Sequence, residues 1–115
     1  MDFTLYKNEY KPIKKSEIEC LYSKYEIRNL DLDNEDTVQF IELKPQFIKD
    51  DYFFTIESSL ADEGIAGTYN YLVSLDDYNY EDEFYIMLND ISHRFKLNII
   101  DCALGEIYGP GKLPY

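Results

Sequence analysis

The chain has 115 residues, 45% of them hydrophobic, with 12 Tyr, 7 Phe and a formal net charge of −12. The aromatic content excludes a disordered chain. The length fits one domain over residues 1–115, because two shorter domains would each bury too little surface. The charge disfavours direct contact with DNA, RNA or anionic membranes and favours a basic protein partner.

Targeting and metal-binding features are sparse. No apolar run approaches the ~20 residues of a membrane span, and the start MDFTLYKNEY lacks the basic and apolar regions of a signal peptide. Cys20 and Cys102 are far apart in sequence, which is typical of buried thiols in a reducing compartment rather than of a disulfide or a zinc site. We therefore expect a cytoplasmic protein with no metal or cofactor.

The first half of the chain predicts a strand, a helix and a second strand. Asp2–Lys7 alternates apolar with polar residues, as a half-buried strand does. A capping-box pattern at Ser16 and an apolar stripe predict a helix over residues 15–27. A polar acidic loop over residues 29–36 then leads into a predicted strand, Thr37–Lys44.

The second half predicts two strands, a helix and a terminal hairpin. Apolar residues Phe84, Leu88, Ile91 and Phe95 recur at helical spacing and give the strongest signal in the chain. The predicted elements are strands Asp51–Ser58 and Thr68–Leu75, a glycine-containing loop over 60–67, a helix over 80–95, and strands Asn98–Ala103 and Glu106–Tyr108.

This order of elements predicts the fold class. Strands with one helix after the first and another before the last indicate an α+β fold, in which two helices cover one face of a mainly antiparallel sheet. Within that class we expect a ferredoxin-like βαββαβ arrangement with an extra strand.

Charge is distributed unevenly along the sequence. Residues 1–28 carry six Lys/Arg and five Asp/Glu, a net of +1. Residues 29–115 carry five basic and 18 acidic residues, a net of −13. The acidic side chains therefore belong to the body of the domain.

The densest acidic segment, LDDYNYEDEF, lies where a predicted strand meets the predicted second helix. Acids at a helix N-terminus stabilise the helix, which accounts for part of the cluster. Five carboxylates with two interleaved tyrosines also suit a basic protein surface, because tyrosine is a frequent binding hot spot and carboxylates bond Lys and Arg. The candidate residues are Asp76, Asp77, Tyr78, Tyr80, Glu81, Asp82 and Glu83.

A second acidic segment, DLDNEDTVQFIE, precedes and enters the predicted strand Thr37–Lys44. It places acids at the first, third, fifth and twelfth positions of an EF-hand loop, but Asp36 occupies the position that requires glycine. A solvated acidic loop is the main interpretation, and a calcium site is the alternative. Its secondary candidates for partner binding are Asp31, Asp33, Glu35 and Asp36.

Catalysis has little support in the sequence. The single histidine, His93, lies one position off the apolar stripe, as a surface residue would. No glycine-rich phosphate loop, zinc-protease motif or serine-hydrolase motif is present. We expect a protein that is not an enzyme.

Residues 84–110 carry a resemblance to a known class of proteins. A helix ending in SHRFKL runs into NIID and then ALGEIYGP. This succession of helix, strand, Asp, turn, Gly and strand resembles the endings of small acidic immunity proteins of bacterial polymorphic toxins, including contact-dependent inhibition systems. The remaining chain is similar in size and charge.

The resemblance implies a stoichiometric inhibitor that occludes a toxin domain, frequently a nuclease with a basic cleft. Carboxylates would then occupy places that nucleic-acid phosphates otherwise fill. A phage-encoded nucleic-acid mimic that disables a host defence nuclease is an alternative with the same surface. A small calcium-binding regulator or enzyme is an alternative from a different class.

Overall fold

The computed structural model describes residues 1–7, 11–59 and 68–114, and within them seven strands form one antiparallel sheet. The strands are β1 (Asp2–Tyr6), β2 (Tyr25–Leu32), β3 (Val38–Pro45), β4 (Phe54–Ser59), β5 (Asn70–Ser74), β6 (Asn98–Asp101) and β7 (Glu106–Tyr108). A 3₁₀ helix, Lys15–Leu21, precedes β2. A 3₁₀ turn, Tyr78–Tyr80, leads into the α-helix α1, Glu81–Phe95.

The sheet has the order β2-β3-β4-β5-β1-β6-β7. Strands β2 to β5 pair consecutively, and β1 pairs with β5 on one side and β6 on the other. Helix α1 connects β5 to β6 across β1. The predicted α+β class with a mainly antiparallel sheet is confirmed. Four strands lie between the two helices, whereas a ferredoxin-like arrangement has two there.

One row of apolar side chains crosses the four central strands. Ile41 pairs with Ile56, Ile56 with Val73, and Val73 with Phe3. Directly paired residues point to the same face of a sheet, so this row forms a continuous apolar surface. Its four side chains are 0–3% exposed, and they share one core cluster with residues of both helices.

Helix α1 confirms the prediction made from its apolar spacing. Phe84, Leu88 and Ile91 face the sheet and are fully buried. The helix ends where Lys96 adopts a left-handed conformation (φ 56°), and the Leu97 N–H donates to the Ser92 carbonyl at 2.9 Å. Among the described residues, no helix is long and apolar enough to cross a membrane.

The predicted helix over 15–27 is wrong in type and length. The observed 3₁₀ helix ends at Leu21, and Tyr25 begins strand β2, where it pairs with Pro45. A three-residue period already places Ile18 and Leu21 on the buried side. Strand pairing with β3 then takes over the residues that a longer helix would have used.

Both cysteines are exposed, so the prediction of buried thiols is wrong. Cys20 lies on the solvent side of the 3₁₀ helix. The predicted strand Asn98–Ala103 ends at Asp101, and Cys102 lies in the following turn, where strand alternation no longer determines which side chains face the core. The predicted loop over 60–67 lies outside the described residues.

Tyr71 joins the segment before the 3₁₀ helix to the sheet. Its buried hydroxyl accepts the Ile13 N–H at 3.0 Å and donates to the Val38 carbonyl at 3.0 Å. Burial raises the pKa of this phenol. The hydroxyl is therefore neutral across the physiological range and fixes the chain where β3 begins.

We expect Tyr71→Phe to lower the free energy of unfolding by about 2 kcal/mol, because it leaves the buried Ile13 N–H without a partner. Urea unfolding followed by circular dichroism measures the change. Tyr78→Phe is the matched control, since Tyr78 is 60% exposed, and should change stability by less than about 0.5 kcal/mol. Equal stability of the two variants would contradict the bridging role of Tyr71.

Candidate functional site

The two predicted acidic clusters lie at opposite ends of the sheet. The turn over residues 33–36 joins β2 to β3 at one end. Residues 76–83 follow β5 at the other end, where β3 also finishes and β4 begins. The second end, here called the acidic end, consists of Asp50, Asp51, Tyr52, Asp76, Asp77, Tyr78, Tyr80, Glu81, Asp82 and Glu83.

The junction between β5 and α1 arranges the main cluster. Leu75 is buried, and Asp77 then caps the 3₁₀ turn by accepting the Asn79 N–H at 3.0 Å. Glu81, Asp82 and Glu83 occupy the first turn of α1, where carboxylates interact favourably with the helix dipole. Part of the cluster therefore builds the fold, as its position in the sequence predicted.

A segment that the sequence analysis did not select completes the acidic end. Tyr52 stacks on Tyr80 with ring centroids 4.0 Å apart and an interplanar angle of 11°. The Tyr80 hydroxyl donates to the Asp50 carboxylate at 2.7 Å. The predicted strand Asp51–Ser58 begins only at Phe54, so residues 50–53 form a loop that reaches the β5–α1 junction.

The loop is anchored on its other side by an arginine. The Arg28 guanidinium lies 3.8 Å from the centroid of the Phe53 ring and 3.7 Å from the Asp51 carboxylate. Arg28 also pairs with Glu42 across the β2–β3 ladder, at 3.3 Å. These contacts hold the Asp50–Tyr52 segment beside the main cluster. No local sequence signal could have joined segments about 25 residues apart.

The phenols of Tyr52 and Tyr80 have raised pKa values and remain protonated well above neutral pH. The hydrogen bond to Asp50, with a smaller effect of burial and of neighbouring carboxylates, raises the pKa of Tyr80 to about 12. Burial raises the pKa of Tyr52, and the charges of Asp76 and Asp77 add to that shift. Both rings therefore present neutral hydroxyls and apolar faces between the carboxylates.

We expect Asp50→Asn to lower the pKa of Tyr80 from about 12 towards the ordinary value of 10.0, because the neutral phenol then loses its charged acceptor. Titration of the tyrosine ring carbons by NMR measures this shift. Asp51→Asn is the control and should leave the Tyr80 pKa within about half a unit.

The sign of the associated stability change follows from the raised pKa of Tyr80. A phenol that is harder to ionise when folded stabilises the native state below pH 10. That contribution disappears as the pH rises from 10.0 through about 12, so the two variants should differ from each other in alkaline stability in that window. An unchanged Tyr80 pKa in Asp50→Asn would mean that the bond is absent in solution.

The remaining carboxylates of the acidic end divide into exposed and enclosed groups. Asp76 and Asp82 are exposed, and so is the ring of Tyr78. Glu83 differs, because its Oε2 atom is buried and has no hydrogen-bond partner among the described residues. Exposed carboxylates can steer a basic partner, whereas the buried oxygen of Glu83 is not accessible to one in this structure.

The secondary cluster is arranged differently. Asp33 accepts the N–H groups of Glu35 and Thr37, each at 2.9 Å, and these bonds lower the pKa of its carboxyl group. The Lys14 ammonium donates to the Glu35 carbonyl at 3.1 Å. Asp33 therefore holds the turn, while Asp31, Glu35 and Asp36 extend exposed side chains beside a lysine.

Lysines gather at this same end of the sheet. A groove of about 450 Å³ is bordered by Lys7, Lys11 and Lys14, with Phe95 and Leu97 in its apolar wall. The uneven charge seen along the sequence thus becomes a separation in space. Carboxylates dominate the end where α1 begins, and lysines accompany the carboxylates at the end where α1 finishes.

The segment considered as a calcium loop, Asp31–Glu42, forms a β-hairpin. Glu42 pairs with Arg28, which lies five residues before Asp33 along β2, so Asp33 and Glu42 are separated by roughly 15 Å of strand. Ligands of one calcium ion lie about 2.3–2.6 Å from it, so these carboxylates cannot share an ion. Bonds from Asn29 and Arg28 lower the pKa of Glu42 instead.

The residue considered for catalysis, His93, is exposed near the end of α1. Gly111 packs against it closely, since a Cβ atom on Gly111 would lie 3.1 Å from the His93 Cβ. Over residues 1–7, 11–59 and 68–114, no group of three or more His, Cys, Asp or Glu side chains is arranged to hold a metal ion.

Fold and surface together define a class: a small α+β domain with a carboxylate- and tyrosine-rich surface at one end of an antiparallel sheet. A scan against protein-family models and searches of curated proteins and solved structures find no match. Function must therefore be inferred from the surface itself.

Proposed function

We propose that the chain is a non-catalytic, stoichiometric inhibitor that binds and neutralises a basic toxin domain of nuclease type, as immunity proteins do. It acts in the cytoplasm and contacts neither nucleic acid nor membrane directly. The acidic end is the contact surface, and the turn over residues 31–36, at the opposite end of the sheet, is the second candidate surface in its place.

A single observation carries this proposal: the joining of the loop 50–52 to the cluster 76–83 through the Tyr52–Tyr80 stack and the Tyr80–Asp50 bond. It produces amphipathic rings held between carboxylates. Tyrosine contributes strongly to protein interfaces because it buries large area with few rotatable bonds, and carboxylates form charge-assisted bonds to Lys and Arg.

Electrostatics supports the same choice of surface. With a net charge of −12, the protein attracts a basic partner from a distance, and the lysines at the far end orient the acidic end towards it. A nuclease cleft carries positive charge because it binds phosphates. Carboxylates placed at that cleft would block substrate entry.

The experiment is affinity capture of the tagged protein from its native lysate at low and moderate salt, followed by a neutralisation assay with the purified partner. The proposal expects one basic partner in near-equal amount, captured less well as salt increases, whose nuclease activity is abolished at a 1:1 ratio. Capture of no partner, or of a partner whose activity is unaffected at that ratio, would refute the inhibitor function.

A further inference from the structure

A groove of about 440 Å³ opens beside the acidic end, between the turn after β3 and helix α1. Phe47 and Ile86 line it and are 58% and 46% exposed, among the most exposed large apolar side chains of the described residues. The remaining lining residues are Lys24, Tyr25, Pro45, Gln46 and Asp90. Single exposed apolar side chains are common, but adjacent ones rimmed by polar residues are a feature of interaction sites.

The walls of the groove are held by fixed contacts. The Gln46 N–H donates to the Lys24 carbonyl and the Ile48 N–H to the Pro45 carbonyl, each at 3.0 Å, which fixes the turn that carries Phe47. Below it, Tyr25 donates to the Asp90 carboxylate at 2.5 Å.

The Tyr25–Asp90 contact is itself enclosed. Burial, followed by the bond to Asp90, raises the pKa of the Tyr25 phenol, so the phenol keeps the proton that it donates. Arg94 holds the same carboxylate at 3.0 Å from the next turn of α1. A groove that is already formed binds with less loss of conformational entropy than one that must be assembled.

Charge around the apolar pair is balanced near Asp90, which pairs with Arg94 opposite Lys24, and negative towards Glu83 and the acidic end. Glu83, Ile86 and Asp90 follow one another on α1 at i, i+3 and i+7, so carboxylates flank Ile86 on one helix face. The buried Oε2 atom of Glu83 has no hydrogen-bond partner among the described residues. Asp50 lies three residues after Phe47 and Glu83 three residues before Ile86, so the groove lies next to the acidic end.

We propose that this groove is the apolar centre of the partner interface and receives a leucine- or phenylalanine-sized side chain from a Lys/Arg-rich segment of the partner. This inference rests on the proposed function. Strong interfaces place an apolar anchor in a central pocket within a polar rim. A basic side chain next to the anchor would face the carboxylates of the acidic end, while a second copy of this chain would set like charges against each other.

Two acetylated and amidated synthetic peptides, Lys-Lys-Leu-Lys-Lys and Lys-Lys-Ser-Lys-Lys, test the groove without knowledge of the partner. Each is titrated into methyl-labelled protein, and NMR follows the Ile86 methyl groups with those of Ile107 as the reference. Because a buried leucine side chain is worth about tenfold or more in affinity, the leucine peptide should bind at least that much more tightly and shift the Ile86 signals.

Three variants provide the matched comparison. Phe47→Ser and Ile86→Ser should lower the affinity for the leucine peptide to that of the serine peptide. Ile107→Ser, which replaces a similarly exposed side chain (55%) on β7, should leave it unchanged. Equal binding of the two peptides, no saturable binding of the leucine peptide, or an unmoved Ile86 signal would overturn the groove assignment.

The captured partner separates this inference from the proposed function. Loss of at least about tenfold in partner affinity in Phe47→Ser and Ile86→Ser, with Ile107→Ser unaffected, supports the groove. Unchanged affinity in both groove variants, while reversal of acidic-end charges weakens binding, overturns the groove and leaves the inhibitor function standing. A concentration-dependent dimer that Ile86→Ser abolishes in sedimentation would assign the groove to a second copy and also overturn the inference.

Discussion

Replacing Phe84 by alanine is expected to lower the free energy of unfolding by about 3–5 kcal/mol, a large part of the total for a domain of this size. The Phe84 side chain is fully buried, with its ring centroid 5.8 Å from that of Phe3 on β1 and 5.6 Å from that of Phe54 on β4. Its loss opens a cavity where α1 meets two strands that are not sheet neighbours.

Urea unfolding at constant pH measures the effect of Phe84→Ala, and the midpoint should fall while the dependence on urea stays the same. Ile86→Ala on the same helix is the control. Because Ile86 is 46% exposed, its replacement should change stability by less than about 0.5 kcal/mol. A loss below about 1 kcal/mol in Phe84→Ala would contradict the docking of α1 on the sheet.

Periodicity predicted α1 because the stripe of Phe84, Leu88 and Ile91 reports directly on which face is buried. The same reasoning failed at residues 15–27. There, Ile18 and Leu21 fit both a helical and a 3₁₀ period, and pairing between Tyr25 and Pro45 decided the outcome. A contact across 20 residues leaves no trace in a local pattern.

The candidate site likewise contains residues that local sequence could identify and residues that depend on distant contacts. The cluster 76–83 could be selected from sequence because its members are consecutive. Tyr52 and Asp50 could not, since their roles depend on the stack with Tyr80 and on a loop that shortens the predicted strand. The placement of the two acidic clusters at opposite ends of the sheet likewise depends on how the strands pair, which a local sequence pattern does not show.

The structure also separates the carboxylates that can be altered safely from those that build the fold. The sequence alone does not show which of four carboxylates support the fold: Asp76, Asp77, Asp82 and Glu83. Asp77 caps the 3₁₀ turn, and one carboxylate oxygen of Glu83 is buried. Asp76 and Asp82 are exposed. A test of partner steering therefore belongs on the exposed pair.

We expect the double variant Asp76→Lys/Asp82→Lys to slow association with the captured partner by at least about tenfold at low salt, because steering of this kind changes association rates by about 10 to 1,000-fold. Each substitution adds two units of charge, so the net charge moves from −12 to −8. Stopped-flow or surface-binding kinetics at several salt concentrations measure the rate, which should also depend less on salt than that of the unmodified protein.

The control for Asp76→Lys/Asp82→Lys is Asp31→Lys/Glu35→Lys, which adds the same charge at the opposite end of the sheet. Both pairs are exposed, and circular dichroism establishes that each variant folds. If the acidic end meets the partner, the control should slow association by less than about threefold, because charges beyond a Debye length of about 8 Å are screened. Equal slowing by both variants would mean that net charge alone drives the encounter. Slowing by the control alone would move the interface to the β2–β3 turn.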